Sequence, residues 1–209
     1  MQGSSAPPPS EVDVYYLSVA LLALLTATWP PAGPPVPERW RSWPVTRVFP
    51  AAVPGTSPSG ARVTYVLTGV APEAPCPAAF QPGALLALPA CVTALRATYA
   101  DSTSTFVATV GIAVLARRRA PGTATVASAA AGHRPPTVRP VAFPGGPAER
   151  FGERQYFTGA LISTHDRYLV ATAAGHADGR PYRPGDRAAA RLRGIALQLA
   201  GALHRGLTR

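Results

Sequence analysis

The sequence predicts an α+β domain with a largely antiparallel sheet. Its expected core is ferredoxin-like (split βαβ), enlarged by an added hairpin and closed by a C-terminal amphipathic helix. Three observations predict this. Residues 93–100 and 106–115 are rich in Val, Thr, Ile and aromatics and flank the turn-forming Asp101-Ser102-Thr103-Ser104. Residues 62–143 read in the order strand, helix, strand, strand, helix, strand. Near the end, Leu192, Ile195, Ala196, Leu199, Ala202 and Leu203 form one apolar stripe at i, i+3, i+4, i+7 spacing.

Residues 1–13 are expected to be a disordered N-terminus, small and Pro-rich. Residues 14–29, VYYLSVALLALLTATW, hold no charge. In a bilayer the backbone must pair within the segment, so such a run is best satisfied as a transmembrane helix. At 16 residues it is shorter than the usual span of about 20. Tyr15, Tyr16 and Trp29 fall where aromatic belts lie. A buried helix of a soluble domain and a cleaved signal peptide are the rival readings, though the positive stretch that precedes a signal peptide's apolar run is missing here. Residues 30–44 are expected to be a linker, with five prolines in residues 30–37. Trp40 and Trp43 alternate with Arg39 and Arg41, which suits either a lipid interface or the edge of the adjoining domain.

The folded domain is expected over residues 45–209. Residues 48–53 suggest a short strand broken by Pro50, followed by a turn at 55–60. Residues 62–70 alternate as a strand does. Residues 78–90 suggest a short helix roughened by Pro82, Gly83 and Pro89. In 106–115, Phe106, Ala108, Val110, Ile112 and Val114 share one face, and the other face is also small and apolar. That strand should be central and covered on both sides. Residues 123–131 suggest a helix or a loop. A further strand is expected at 137–143, at an edge because of Pro140, and two helical turns at 147–154. A second hairpin is expected from 156–164 and 168–175, turning at His165-Asp166-Arg167. The final helix starts near Pro184 and Asp186, with Arg187, Arg191, Gln198 and Arg205 toward water. Packing across the sheet is its expected use, with a membrane surface as the alternative.

Bulk composition narrows the function. Of 209 residues, 47% are hydrophobic, enough for a core, so wholesale disorder is excluded. The net charge of +10 comes from arginines spread along the chain; there is no lysine. Only Arg117, Arg118 and Arg119 form a run, so nucleic acid is not the expected partner. Cys76 and Cys91 are the two cysteines. With no CxxC and no partnering histidine, they suit a disulfide, worth about 3 kcal/mol in the chain-entropy model. Disulfides persist outside the cytoplasm. The flanking charges point the other way: Glu11 and Asp13 precede the apolar run, and Arg39, Arg41 and Arg47 come after it.

Catalytic chemistry has few candidates. A metal site from His165, Asp166, His176 and Asp178 is disfavoured, because a hairpin turning at Asp166-Arg167 sets His165 beside Tyr168 and His176 opposite Phe157, about 25 Å apart. Ser163, His165 and Asp166 include the residue types of a hydrolase triad, but no GxSxG elbow accompanies them. Glu149 and Glu153 lie at i, i+4, beside Arg150 and Arg154, which suits ion pairing. Gly145-Gly146 does not match a phosphate loop. No metal and no cofactor is expected. The polar, Gly-rich strand end 174–180, AGHADGR, is the first place to seek a ligand contact.

Several phrases recur as a set: VFPAAV at 48–53, AP-x-x-PC at 71–76, LRATYADSTSTFVATVGIAVL at 95–115, VAFPGGPAERFGERQ at 141–155 and YLVATAAGHADGR at 168–180. Together they resemble uncharacterised actinobacterial proteins with one N-terminal membrane helix and an extracytoplasmic α+β domain. The resemblance spans most of residues 47–203 and implies a single-pass anchor at residues 14–29 with an outer domain behind it. It implies no activity and no functional residues. The expected function is therefore non-catalytic binding or scaffolding by a membrane-anchored extracytoplasmic domain. A secreted or anchored hydrolase is the alternative. An Arg-rich cytoplasmic nucleic-acid binder requires the inverted topology.

Overall fold

The computed structural model describes residues 39–208, apart from 87, 89, 118–124, 129–136, 154–157, 164–166 and 184. The expected disordered terminus, the transmembrane run 14–29 and most of the linker lie outside the described residues. Among the described residues, no helix is long and apolar enough to cross a membrane. The chain divides into two units after Pro35, and the described residues all belong to the second, Val36–Arg209.

That unit is α+β, built on one seven-stranded sheet. Two single-turn helices, α1 (Arg39–Ser42) and α2 (Val45–Val48), lead into β1 (Ala52–Thr56) and β2 (Arg62–Ala74). Two more single turns, α3 (Cys76–Ala79) and α4 (Pro82–Leu85), precede β3 (Cys91–Asp101) and β4 (Phe106–Leu115). Then come β5 (Thr125–Ser128), β6 (Thr158–Ser163), β7 (Tyr168–His176) and the long helix α5 (Ala189–Thr208). The strand order is β1-β2-β3-β4-β7-β6-β5, and every neighbouring pair is antiparallel. β4 lies beside β7, so the chain passes β7 and β6 to reach β5 and then returns strand by strand, a Greek-key path.

This corrects the ferredoxin-like core. A split βαβ unit needs crossover helices that join parallel strands. The helix expected at 78–90 is reduced to single turns, because prolines and a glycine interrupt it, and 125–128, inside the stretch 123–131 expected as a helix or a loop, is strand. Neither stretch can cross a sheet face. The strand expected at 48–53 also moves: Val45–Val48 is helical and the strand begins beyond Pro50, at Ala52.

The central strands are fully enclosed. β7 is buried along its whole length and β4 from Val107 onward, as the two apolar faces of β4 predict. On one face Ala108, Val110, Ile112 and Val114 pack with Tyr65, Tyr99 and the α5 stripe. On the other, Val107, Ala113 and Leu115 pack with Phe80, Val138 and Phe151. α5 meets β6 and β7, while Gln198 bonds both the N–H and the carbonyl of Thr56 in β1, at 2.6 and 2.7 Å. The helix thus touches strands from both ends of the sheet order, and the sheet curls about it. Gln198, expected to face water, instead serves edge strand β1 as a short substitute partner.

Residues 137–143 lie across the sheet face and are not a ladder strand; Val138 makes a single isolated bridge, to Phe80. Their backbone bonds at Thr137 and Arg139 go to Gln81 and Ala79, and threonines of the sheet meet further polar groups. Thr98 donates to the Val141 carbonyl at 2.8 Å, and the Val141 N–H donates to Thr109 Oγ1 at 2.9 Å. Thr137 donates to the Thr172 carbonyl at 2.8 Å. The close approach depends on Gly111, where a Cβ would overlap the Val138 side chain. Beyond it, residues 147–150 form turns in place of the expected helix. The expected disulfide is present: Cys76 and Cys91 are bonded, with Cα atoms 6.2 Å apart, tying α3 to the start of β3.

Candidate functional site

At one end of the sheet the β3–β4 turn, the end of β7 and the segment before α5 converge on a polar network. The turn is built around Asp101. Its Oδ1 accepts the N–H groups of Thr105 and Phe106 at 2.9 and 3.0 Å. Its Oδ2 accepts the Thr103 hydroxyl at 2.7 Å and Arg191 Nη2 at 3.1 Å. Four donors on one carboxylate explain how Asp101 stays only 2% exposed. Arg191, expected to face water, instead spans from α5 to this turn, over the Phe106 ring at 5.4 Å. Burial pushes the nearby Tyr65 phenol above its ordinary pKa, with Arg191 opposing and Asp101 reinforcing that shift.

His176 stands across from Phe106 in the β4–β7 ladder, the two rings 5.3 Å apart. It is 1% exposed. Arg180 Nη2 lies 3.0 Å from its Nδ1, and Asp186 Oδ2 lies 3.0 Å from its Nε2. A guanidinium only donates, so Nδ1 must be the unprotonated nitrogen and Nε2 must carry the proton donated to Asp186. Asp186 Oδ1 also accepts the Ala188 N–H at 2.8 Å. That backbone bond, and after it the His176 bond, holds the Asp186 carboxyl below its ordinary range. His176 therefore fastens the strand end to the approach of α5.

Two open clefts flank this network. One, of about 370 Å³, is lined by Ser104, Gly146, Pro147, Glu149, Arg150, Ala177 and Asp178. The other, of about 410 Å³, is lined by Arg180, Pro181, Arg183, Gly185 and Asp186. Both take wall residues from the 174–180 stretch singled out in the sequence.

The other candidates are dispersed. Among the described residues, no group of three or more His, Cys, Asp and Glu stands together as metal ligands. Both ring nitrogens of His176 are already engaged, and Asp178 pairs at the surface with Arg180, at 3.5 Å. His165, Asp166 and the side chain of Ser163 lie outside the described residues. The β6–β7 register sets Ser163 opposite Leu169 and Thr158 opposite Ala174, one residue away from the expected pairing. Glu149 and Glu153 share no helix face; Glu149 lines a cleft, while Glu153 pairs with Arg139. Arg117 is exposed, and Arg118 and Arg119 lie outside the described residues. Sequence reasoning missed the roles of Asp101, Asp186 and Arg191. For Asp101 the signal was available, as an aspartate opening a Ser/Thr turn that ends in a strand. Compared with protein families, curated proteins and solved structures, the chain matches none.

Proposed function

We propose that the α+β unit is an extracytoplasmic binding or scaffolding domain, held to a membrane by residues 14–29. The observation that carries this is the Cys76–Cys91 bond, since such bonds persist where thiols are not kept reduced. The phrase-level resemblance to actinobacterial anchored proteins supports the same reading. The cysteine pair outweighs the flanking charges, which by themselves favour the opposite orientation. The ligand contact belongs at the two clefts beside residues 174–180, where charged and polar groups converge. A reporter fused to the C-terminus, active only outside the cytoplasm, should be active. Two freely alkylated thiols in natively expressed protein would overturn the reading. An anchored hydrolase finds one supporting feature, the pairing of buried His176 with the partly exposed Asp186. It would require Arg180 to vacate Nδ1, because a general base needs a free lone pair facing its nucleophile. Labelling of the chain by a serine-directed phosphonate probe would favour that second reading.

A further inference from the structure

The end of the sheet opposite the His176 network has a distinct character. Cys91 pairs with Leu115, and Val114 with Tyr168, so the start of β3, the end of β4 and the start of β7 share this pole. Arg167 donates to the Ala116 carbonyl at 3.0 Å, and Arg117 stands exposed beside it. Trp43 meets Tyr168 at 6.1 Å and carries the Arg47 guanidinium over its ring at 4.3 Å. Arg41 sits over Trp40 and reaches Glu73 at 3.7 Å; Glu73 in turn accepts the Thr93 hydroxyl at 2.6 Å. These contacts tie the arginines to one surface. Glu73 is the carboxylate paired among them, whereas at the other pole Asp101, Asp178, Asp186 and Glu149 offset Arg150, Arg180, Arg183 and Arg191.

Exposed apolar side chains punctuate the same surface. Val45 is 57% exposed, Leu86 89% and Val92 55%. The two tryptophans are themselves half-buried against the core, so they support the arginines without projecting.

We infer that this pole is a docking face for an anionic lipid surface. The inference rests on the anchoring proposed above and adds which face of the domain meets the bilayer. Arginine forks pair with phosphate oxygens, and short apolar tips enter the headgroup layer. The charge pattern selects the occupant: the exposed Arg41, Arg47 and Arg117 favour a net-negative surface over a neutral one.

The test uses the full chain in nanodiscs of phosphatidylcholine, alone or mixed with phosphatidylglycerol, read by amide hydrogen exchange. In the anionic discs, exchange should slow in peptides covering 39–48, 85–93 and 115–117. Peptides covering 101–106 and 176–186 should exchange equally in both. Each of Arg47→Gln and Arg117→Gln should lower the docked-to-free ratio roughly fivefold, the factor expected per basic residue at an anionic surface. The unchanged peptides at the far pole report that the variants remain folded. Equal exchange in the two discs, or slowing at the His176 end, would overturn the inference while leaving the anchor intact. A chain that leaves the discs would overturn the anchoring and the docking together. Salt-sensitive retention on DNA, lost in these variants, without any lipid effect would assign the patch to nucleic acid and overturn it too.

Discussion

At the scale of single residues, two carboxylates with similar neighbours behave differently because of burial. Asp101 is enclosed and holds four donors, one of them the charged Arg191. Asp101→Ala strands the arginine and frees two turn N–H groups, and should cost about 3–5 kcal/mol. Urea denaturation checks this, and a loss below about 1 kcal/mol would mean that water satisfies the turn equally well. Asp186 is more exposed, and its effect shows through pH. Its folded pKa lies below the ordinary 3.8, so its contribution to stability is present above that value and is lost as pH falls through the lowered one. Asp186→Asn should therefore flatten the acid limb of the stability curve and leave its neutral-to-alkaline shape unchanged. Thermal melts across the acid range would show it, and an unchanged limb would refute it.

At the scale of elements, the β3–β4 hairpin and the α5 stripe were legible in the sequence because each is set by local periodicity. The enclosure of β4 was legible for the same reason, as both of its faces are apolar. Residues 137–143 were not, because alternating side chains describe a strand but not its partner. Here the backbone is satisfied largely by contacts other than a ladder, and Gly111 leaves room for it. Gly111→Ala should destabilise by about 1–3 kcal/mol through overpacking. Combining it with Val138→Ala should recover part of that loss, and chemical denaturation of all four members of the cycle gives the coupling. Strict additivity would place the contact elsewhere. Arg191 and Gln198 of α5 were illegible for a related reason. Their polar character suggested water, yet the curl of the sheet brings Asp101 and Thr56 to them.

At the scale of the whole molecule, the disulfide links α3 to the sheet pole that carries the exposed arginines. Replacing both cysteines by serine should lower unfolding stability by about 3 kcal/mol. Mild reduction should lower the melting temperature in parallel, and a variant as stable as the parent would show the bond to be thermally idle. The candidate site was only partly legible. The stretch 174–180 stood out for its composition, but its clefts draw their remaining walls from 104, 146–150 and 181–186. No pattern within a window of sequence could bring those segments together.

The sequence by itself determined the α+β class, the central hairpin, the C-terminal stripe and the cysteine pair that could bridge. Each depends on spacing within a few turns or on a short separation along the chain. Only the tertiary structure decided the strand order, the path of residues 137–143 across the sheet and the engagement of both His176 nitrogens. Those depend on which distant groups satisfy one another once the sheet has curled. Antiparallel pairing energies differ too little from strand to strand for local sequence to choose among them.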